Sequence, residues 1–372
     1  MSVRASPGHV RDSIVNYLAA AESASLAEIH EAVKARLGQV PASSVRSYLN
    51  LNTPGLFERA ARGRYSLKAA PVGLEKRPEL VHKIGRATLI QTDCFDWLRR
   101  CAAHSIHAVV TDPPYGLREY SAAEQAKLRA GRGGVWRIPP SFDGHRRAPL
   151  PRFTVLSAGD RLLMHEFFLE FGRQVLRATV PGANVIVASH PLLAHVVAGA
   201  MSAAGLDLRG QIIRLVMTMR GGDRPKNAHR EFSEVSMLPR SMFEPWIVLR
   251  HPLDGRAQDN LRRWKTGGFR RRPRDKPFGD VIQSHPTPRP ERRIAPHPSL
   301  KPQAFLRAVV QAVLPREEGI VLDPFAGSGS TLAAANAVGY DSIGLERDSR
   351  YFAMARGAIV ELGELTIRDP GA

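Results

Sequence analysis

The sequence predicts an α/β protein: a doubly wound, mostly parallel sheet preceded by a small α+β unit. Strand and helix signals alternate from about residue 81 to 365, the pattern of helices layered on a parallel sheet. Two of the strand signals, "IHAVVTDPPY" and "GIVLDPFAGSGS", end on an acid and proline, and the first runs into Asp112-Pro113-Pro114-Tyr115, which can neither continue pairing nor begin a helix. The stretch "AAPVGLEKRPE" has the proline, glycine and charge of a linker. It divides the chain into a first unit at residues 1–70, a linker at 71–80 and a larger domain at 81–365.

In the first unit, "VRDSIVNYLAA" places Val10, Ile14 and Leu18 at helical spacing. "SLAEIHEAVKARLG" opens with Ser25 and Glu28 as a capping box and closes on Gly38. "PASSVRSYLNLN" is a third short helix with Val45, Tyr48 and Leu49 inward, and "GLFERAARGRYSLK" is two strands turning near Gly63. Three helices and a basic hairpin resemble a winged helix-turn-helix. That arrangement would put Ser43, Ser44, Arg46 and Ser47 on a groove-facing helix and Arg62 and Arg64 on the wing. A helical docking or dimerisation module is the alternative.

In the larger domain, "ATLIQTD", "IHAVVTD", "ANVIVAS", "QIIRLVMTM", "EPWIVLR" and "DSIGLERD" are strands. "DRLLMHEFFLEFGRQVLRATV" is an amphipathic helix expected to stop at Pro181-Gly182, and "KPQAFLRAVVQAVL" is another. Two stretches interrupt the alternation, about 116–160 and 221–295. Within the second, residues 256–293 hold twelve Lys/Arg against four Asp/Glu, with Trp264, Phe269 and Phe278 interleaved. This basic insert is the expected nucleic-acid contact, through Arg262, Arg263, Lys265, Arg270, Arg271, Arg272 and Arg274, with Arg46 and Arg64 of the first unit.

Composition agrees. A formal charge of +18, from 53 Lys+Arg against 35 Asp+Glu, makes nucleic acid the first candidate partner. The two cysteines, Cys94 and Cys101, argue against a disulfide scaffold or structural zinc and suit a reducing cytoplasm. No segment approaches the roughly 18 apolar residues of a membrane span, no metal site is expected, and no signal-peptide core opens the chain.

The glycine loop is informative about a ligand. "VLDPFAGSGSTLAAA" sets Asp323 at a strand end, then Gly327 and Gly329, then a helix. Glycines there let the backbone approach a ligand and open a helix N-terminus onto it. No Gly-Lys-Ser/Thr follows, so it is not a Walker loop. Glu346 closes the next strand, about twenty residues on, where an acid binds a ribose diol in Rossmann-like folds. A nucleoside with a compact zwitterionic end is indicated, and S-adenosylmethionine fits.

Taken together, "DPPY" and "LDPFAGSGS" resemble the amino-methyltransferases that modify exocyclic amines of DNA bases. The order, catalytic motif first and basic region between, resembles the permuted β-type arrangement. The resemblance covers about residues 84–360 and implies an S-adenosylmethionine-dependent methyltransferase fold. It implies cofactor contacts from Asp323, Phe325, Ala326, Gly327, Ser328, Gly329, Ser330 and Glu346, and from His297, Ser299 and Lys301 of "HPSLKP" at the methionine end. Asp93 of "LIQTDCFDWL" would sit near the cofactor's adenine. Ser299 and Ser330 stand where threonine is more usual, which retains the hydroxyl.

Catalysis would rest on Asp112, Pro113, Pro114 and Tyr115. An aromatic amine is a poor nucleophile because its lone pair is delocalised. Acceptors at the Asp112 carboxylate and the Pro113 carbonyl would localise it, the prolines would stiffen the turn, and Tyr115 would stack on a base drawn out of the duplex. An aspartate at the first motif position is associated in this family with adenine N6. Cytosine N4 transfer, RNA or protein-amide methylation, and an inactive DNA-binding regulator stay open as alternatives. The partner expected is double-stranded DNA in the cytoplasm, at the nucleoid, with a homodimer as the usual β-type assembly. Nothing in the chain looks like a nuclease, so a cognate restriction endonuclease is an open question.

Overall fold

The computed structural model describes most of residues 7–67, all of 79–114, the pairs 141–142 and 145–146, 158–220, and most of 225–367. It divides into two compact units, residues 1–78 and 79–372.

The first unit holds α1 (Pro7–Ala20), β1 (Ala24–Ser25), α2 (Leu26–Leu37), α3 (Ala42–Leu51), β2 (Phe57–Ala61) and β3 (Arg64–Leu67). The helical spacing is realised as one core of Val10, Ile14, Leu18, Ile29, Val33, Val45, Leu49, Phe57 and Tyr65. Both halves of the capping box form: the Glu28 N–H donates to Ser25 Oγ at 3.3 Å, and the Ser25 N–H to Glu28 Oε2 at 2.6 Å. The strands order as β1-β3-β2. Arg46 is exposed on α3. Arg64 opens β3. Its guanidinium donates to the Ser23 carbonyl at 2.8 Å and lies 3.7 Å from Glu28, tying β3 to the start of α2. Arg62 lies outside the described residues.

The second unit begins with an edge hairpin, β4 (Leu80–Ile84) and β5 (Ala87–Gln91), the first of which starts inside the expected linker. Next come α4 (Cys94–Arg100), β6 (Ile106–Thr111), a two-residue ladder of β7 (Ser141–Phe142) and β8 (His145–Arg146), and α5 (Ala158–Ala178). Then follow β9 (Thr179–Ala188), α6 (Ala194–Ala203), β10 (Asp207–Arg220), β11 (Ser241–Arg250), α7 (Ala257–Trp264), β12 (Val281–Gln283) and α8 (Arg289–Ile294). The chain closes with α9 (Gln303–Val313), β13 (Ile320–Asp323), α10 (Ser330–Val338), β14 (Asp341–Glu346) and α11 (Ser349–Glu364). The helix expected to stop at Pro181-Gly182 ends three residues earlier. Thr179 to Gly182 already belong to β9, where Thr179 pairs with Ile106.

A nine-stranded sheet runs β12-β10-β11-β9-β6-β13-β14-β5-β4. From β9 through β6, β13 and β14 to β5 every pairing is parallel. The reversal is at β11, antiparallel to both β9 and β10. Sequence alternation sorts both faces. Val109, Val185, Val187, Ile247 and Leu249 face α5 and α6, whereas Ala108, Val110, Ile186, Trp246 and Val248 meet Phe305, Val309 and Val313 of α9. This is a doubly wound, Rossmann-like architecture, and it brings the ends of β6, β13, β14 and β5 to one side. No helix among the described residues is long and apolar enough to cross a membrane.

Candidate active site

The two acid-proline strand ends are neighbours. β6 and β13 pair in parallel, Val109 opposite Leu322, so Thr111-Asp112 and Asp323 emerge side by side. The buried Thr111 hydroxyl donates to Asp323 Oδ1 at 2.7 Å, a bond between residues 212 positions apart. Asp323 is itself buried and also accepts from the Phe325 N–H at 3.1 Å. Burial pushes its carboxyl up to about 6 against the hydrogen bonds it accepts.

One pocket joins both motifs. Asp112, His297, Ser299, Lys301, Asp323, Phe325, Ala326, Gly327, Ser328 and Ser330 all line it, with Thr331, Trp246 and Leu306. The loop between β13 and α10 needs its glycines. Gly327 has φ +53° and a side chain there would meet the His297 ring at 3.2 Å. Gly329 has φ +79° and a Cβ would press Ile359 at 2.4 Å. Phe325 turns towards α5, its ring 5.4 Å from Phe171. His297 lies edge-on to Tyr351 at 4.4 Å, and burial with the Lys301 charge holds its imidazole down at about 4.

Glu346 ends β14 beside this loop. Its Oε2 accepts from the Gly327 N–H at 2.9 Å and its Oε1 from the Asp348 N–H at 2.7 Å. The expected diol acceptor therefore also braces the glycine loop. Burial raises its carboxyl above the ordinary value. Asp93 follows β5, whose Gln91 pairs with Glu346, and caps α4 by accepting from the Phe95 and Asp96 N–H groups.

Asp112 is half-buried, Pro113 buried and Pro114 exposed. Tyr115 lies outside the described residues. Lys301, expected at the cofactor's methionine end, lines the pocket and bridges two carboxylates, 2.9 Å from Asp112 Oδ2 and 2.6 Å from Glu244 Oε1. Burial would depress its ammonium, but Asp112 and Glu244 outweigh that and hold it above the usual value. Glu244, the fourth residue of β11, was missed from sequence, as was its registered neighbour Arg214 on β10, 2.6 Å away. A lone charge inside each apolar strand, "IIRLV" and "FEPWIVL", was the available signal.

The basic insert divides differently from its charge count. α7 packs on the start of β9, with Asn260 donating to the Pro181 carbonyl and the Gly268 carbonyl accepting from Asn184. Arg262, Arg263, Lys265, Arg270 and Arg271 thus sit at the strand-start end, away from Asp112. Arg262 pairs with Asp259, Arg263 with Asp254, and Arg270 with Glu317. These five do not line the pocket. Arg274 is exposed, and Arg272 lies outside the described residues. β10 ends at Arg220 and β11 begins at Ser241, both at the pocket end.

The "DNA methylase" family description matches residues 106–357, more than half of the chain and inclusive of both strand-end motifs. The chain belongs to the DNA methylase family. This methylase is 28% identical to the Type II methyltransferase M.XycI of Xanthomonas campestris pv. cyanopsidis, over 77% of this chain and 92% of that protein. It is 23% identical to the Type II methyltransferase M.HindIII of Haemophilus influenzae, over 72% of this chain and 93% of the relative. Among solved structures, TTHA0409 of Thermus thermophilus complexed with S-adenosyl-L-methionine has a TM-score of 0.47 and 18% identity, covering 76% of this methylase and 95% of that chain. The cytosine-N4-specific PvuII DNA methyltransferase has a TM-score of 0.47 and 12% identity, covering 74% and 91%.

Proposed function

We propose that this DNA methylase transfers a methyl group from S-adenosylmethionine to adenine N6 in duplex DNA. The observation that carries the reading is the shared pocket: Asp112 and the Gly327 loop line one cavity and are braced by the Thr111–Asp323 bond. The residues fit the cofactor. The glycine loop leaves no room for a Cβ, main-chain N–H groups crowd Glu346, and Phe325 supplies an apolar wall. Each Glu346 oxygen accepts one N–H and retains a second lone pair for a hydroxyl of a ribose diol. His297, Ser299 and the Asp323–Ser330 loop hold the remainder in this reading.

The bound cofactor supplies an electrophilic sulfonium methyl. The protein's part is to make the amine nucleophilic. In this assignment Asp112 and the Pro113 carbonyl accept the two amine hydrogens, and proline lacks an N–H that would compete for the same acceptors. Positioning and fixed dipoles then carry the rate. Adenine is favoured over cytosine because the acceptor at the end of β6 is an aspartate. Because β10 ends and β11 begins at the pocket end, the segment between them is the DNA-facing part of the insert in this reading, in place of 256–274.

Labelled methyl transfer to duplex DNA, RNA and protein in parallel, followed by nucleoside analysis, tests this. N6-methyladenine in DNA is the expected product. N4-methylcytosine would overturn the base, and label in RNA or protein alone would overturn the substrate. Asp112→Ala is expected to lower the rate at least about 100-fold, the scale of one lost transition-state acceptor, while S-adenosylmethionine affinity stays within about threefold.

A further inference from the structure

The chain Arg214–Glu244–Lys301–Asp112 spans β10, β11, the loop before α9 and the end of β6. Glu244 receives Arg214 at 2.6 Å on one oxygen and Lys301 at 2.6 Å on the other. Lys301 reaches on to Asp112 at 2.9 Å. Arg214 is immobilised by Ser284 Oγ at 3.1 Å and the His285 carbonyl at 2.8 Å, and its guanidinium lies 5.5 Å from the Phe305 ring centre. The alternating charges cancel. Side-chain exposures of 7% for Arg214, 18% for Glu244 and 14% for Lys301 leave little room for solvent to screen them.

Buried ion pairs are weak contributors to stability compared with apolar packing, because desolvation offsets most of the attraction. A row of four ending on the proposed amine acceptor therefore calls for a chemical role. We infer that Glu244 is a positioning residue for methyl transfer: it shares the Lys301 ammonium with Asp112, and Arg214 holds it in place. This rests on the reading of Asp112 as the amine acceptor. The physical content is a competition. An ammonium bound to Asp112 alone contests the carboxylate with the target amine. Glu244 is the nearer carboxylate, so it draws the ammonium off Asp112 and fixes the direction of what remains. Without its charge, Lys301 falls onto Asp112 and the acceptor is lost to the amine.

The test is Glu244→Gln, nearly isosteric, with Glu244→Asp as the charge-retaining control and Lys301→Met as the second corner of a cycle. Single-turnover methyl transfer in Glu244→Gln is expected to fall about 10- to 100-fold, the range carried by supporting partners at metal sites. Cofactor affinity and the DNA concentration at half-maximal rate should move less than about threefold. Glu244→Asp should recover part of the rate. In the Lys301→Met background, Glu244→Gln should cost no further rate, because its action runs through the ammonium. In Glu244→Gln the lost rate should recover as pH rises through the Lys301 titration, because a neutral amine no longer contests Asp112 and Glu244 no longer helps hold the ammonium charged. The other charged groups facing this row are His297, Asp323 and Glu291.

A wild-type single-turnover rate in Glu244→Gln, or losses that multiply in the double variant, would overturn the inference. A rate lost only in proportion to cofactor affinity would do the same. Asp112→Ala separates the levels. If that variant stays active, the acceptor reading itself fails. If it is dead while Glu244→Gln is normal, only the positioning role fails.

Discussion

Replacing Thr111 with valine removes one hydroxyl and changes little else in shape. Its partner Asp323 is buried, and its carboxyl is raised from 3.8 to about 6, so ionising it in the fold at neutral pH costs roughly 3 kcal/mol. Thr111, Thr331 and the Phe325 N–H are the donors that limit this cost. A hydrogen bond to a charged group contributes about 1.5–3 kcal/mol. The sign follows from linkage. Because the folded pKa exceeds the unfolded one, the native state binds more protons between about 4 and 6, and the Asp323 contribution to stability declines as pH rises through that window. Thr111→Val raises the folded pKa further, so the variant should lose about 2 kcal/mol at pH 7.5. At about 2.1 cal/mol/K of unfolding entropy per residue, the larger unit of about 290 residues should drop by roughly 3 °C in Tm. Near pH 5 the carboxyl is protonated in both proteins, and the drop should shrink to that of a neutral bond, about 1 kcal/mol. Thermal melts followed by circular dichroism at the two pH values check this. An equal depression at both would refute the assignment of Asp323 as a buried, donor-dependent acid.

His297, depressed to about 4 chiefly by burial, binds its proton more readily unfolded than folded. Stability should fall as pH drops from about 6.5 to 4, by at most roughly 3 kcal/mol, and His297→Asn should flatten that slope in urea titrations. Gly329→Ala combines a left-handed backbone with a 2.4 Å approach to Ile359, and should cost about 2–5 kcal/mol, read from the urea midpoint. Arg262→Ala with Arg263→Ala should leave kcat/KM on duplex DNA within about threefold and the salt slope nearly unchanged, since both side chains pair with local carboxylates at the strand-start end. A tenfold loss would return the insert's arginines to the DNA.

Local chemistry was the most legible part of the sequence. Ser25 with Glu28 is readable because a capping box is settled within three residues. The alternation in "IHAVVTD" and "ANVIVAS" marks strands buried on both faces, and the glycines of "FAGSGS" announce a backbone no other residue adopts. The pairing of the two acid-proline motifs was legible through their family resemblance, while the Thr111–Asp323 bond that joins them was not, because nothing local ties positions 212 apart. The helix boundary at Ala178 was misplaced because Pro181-Gly182 is a normal stop signal, yet β9 tolerates it where the Gly182 N–H finds the His251 carbonyl at 3.1 Å. Charge density counts arginines without knowing which end of the sheet the chain has returned to, so the placement of Arg262 and Arg263 beside Asp259 and Asp254 was not legible.

Sheet direction explains why Glu244 escaped notice. In a wholly parallel sheet the start of a strand lies opposite the ligand end, so an acid at position four of a ten-residue strand would sit far from the chemistry. β11 runs backwards between β9 and β10, and its start therefore faces the pocket, with Trp246 set against Ala188 and Glu244 against Arg214. The reversal puts a carboxylate within reach of a lysine that precedes α9, and the same two strands end and begin at the pocket end. One topological feature thus links the proposed acceptor at Asp112 to the segment proposed to meet DNA. If the two are mechanically linked, substitutions that loosen the β10–β11 ladder, such as Ile212→Ala at the 2% exposed position paired with Trp246, should slow methyl transfer by more than their loss of stability accounts for. Single-turnover rates compared with urea midpoints across such a series would expose the link, and a rate that holds constant until the fold gives way would show there is none.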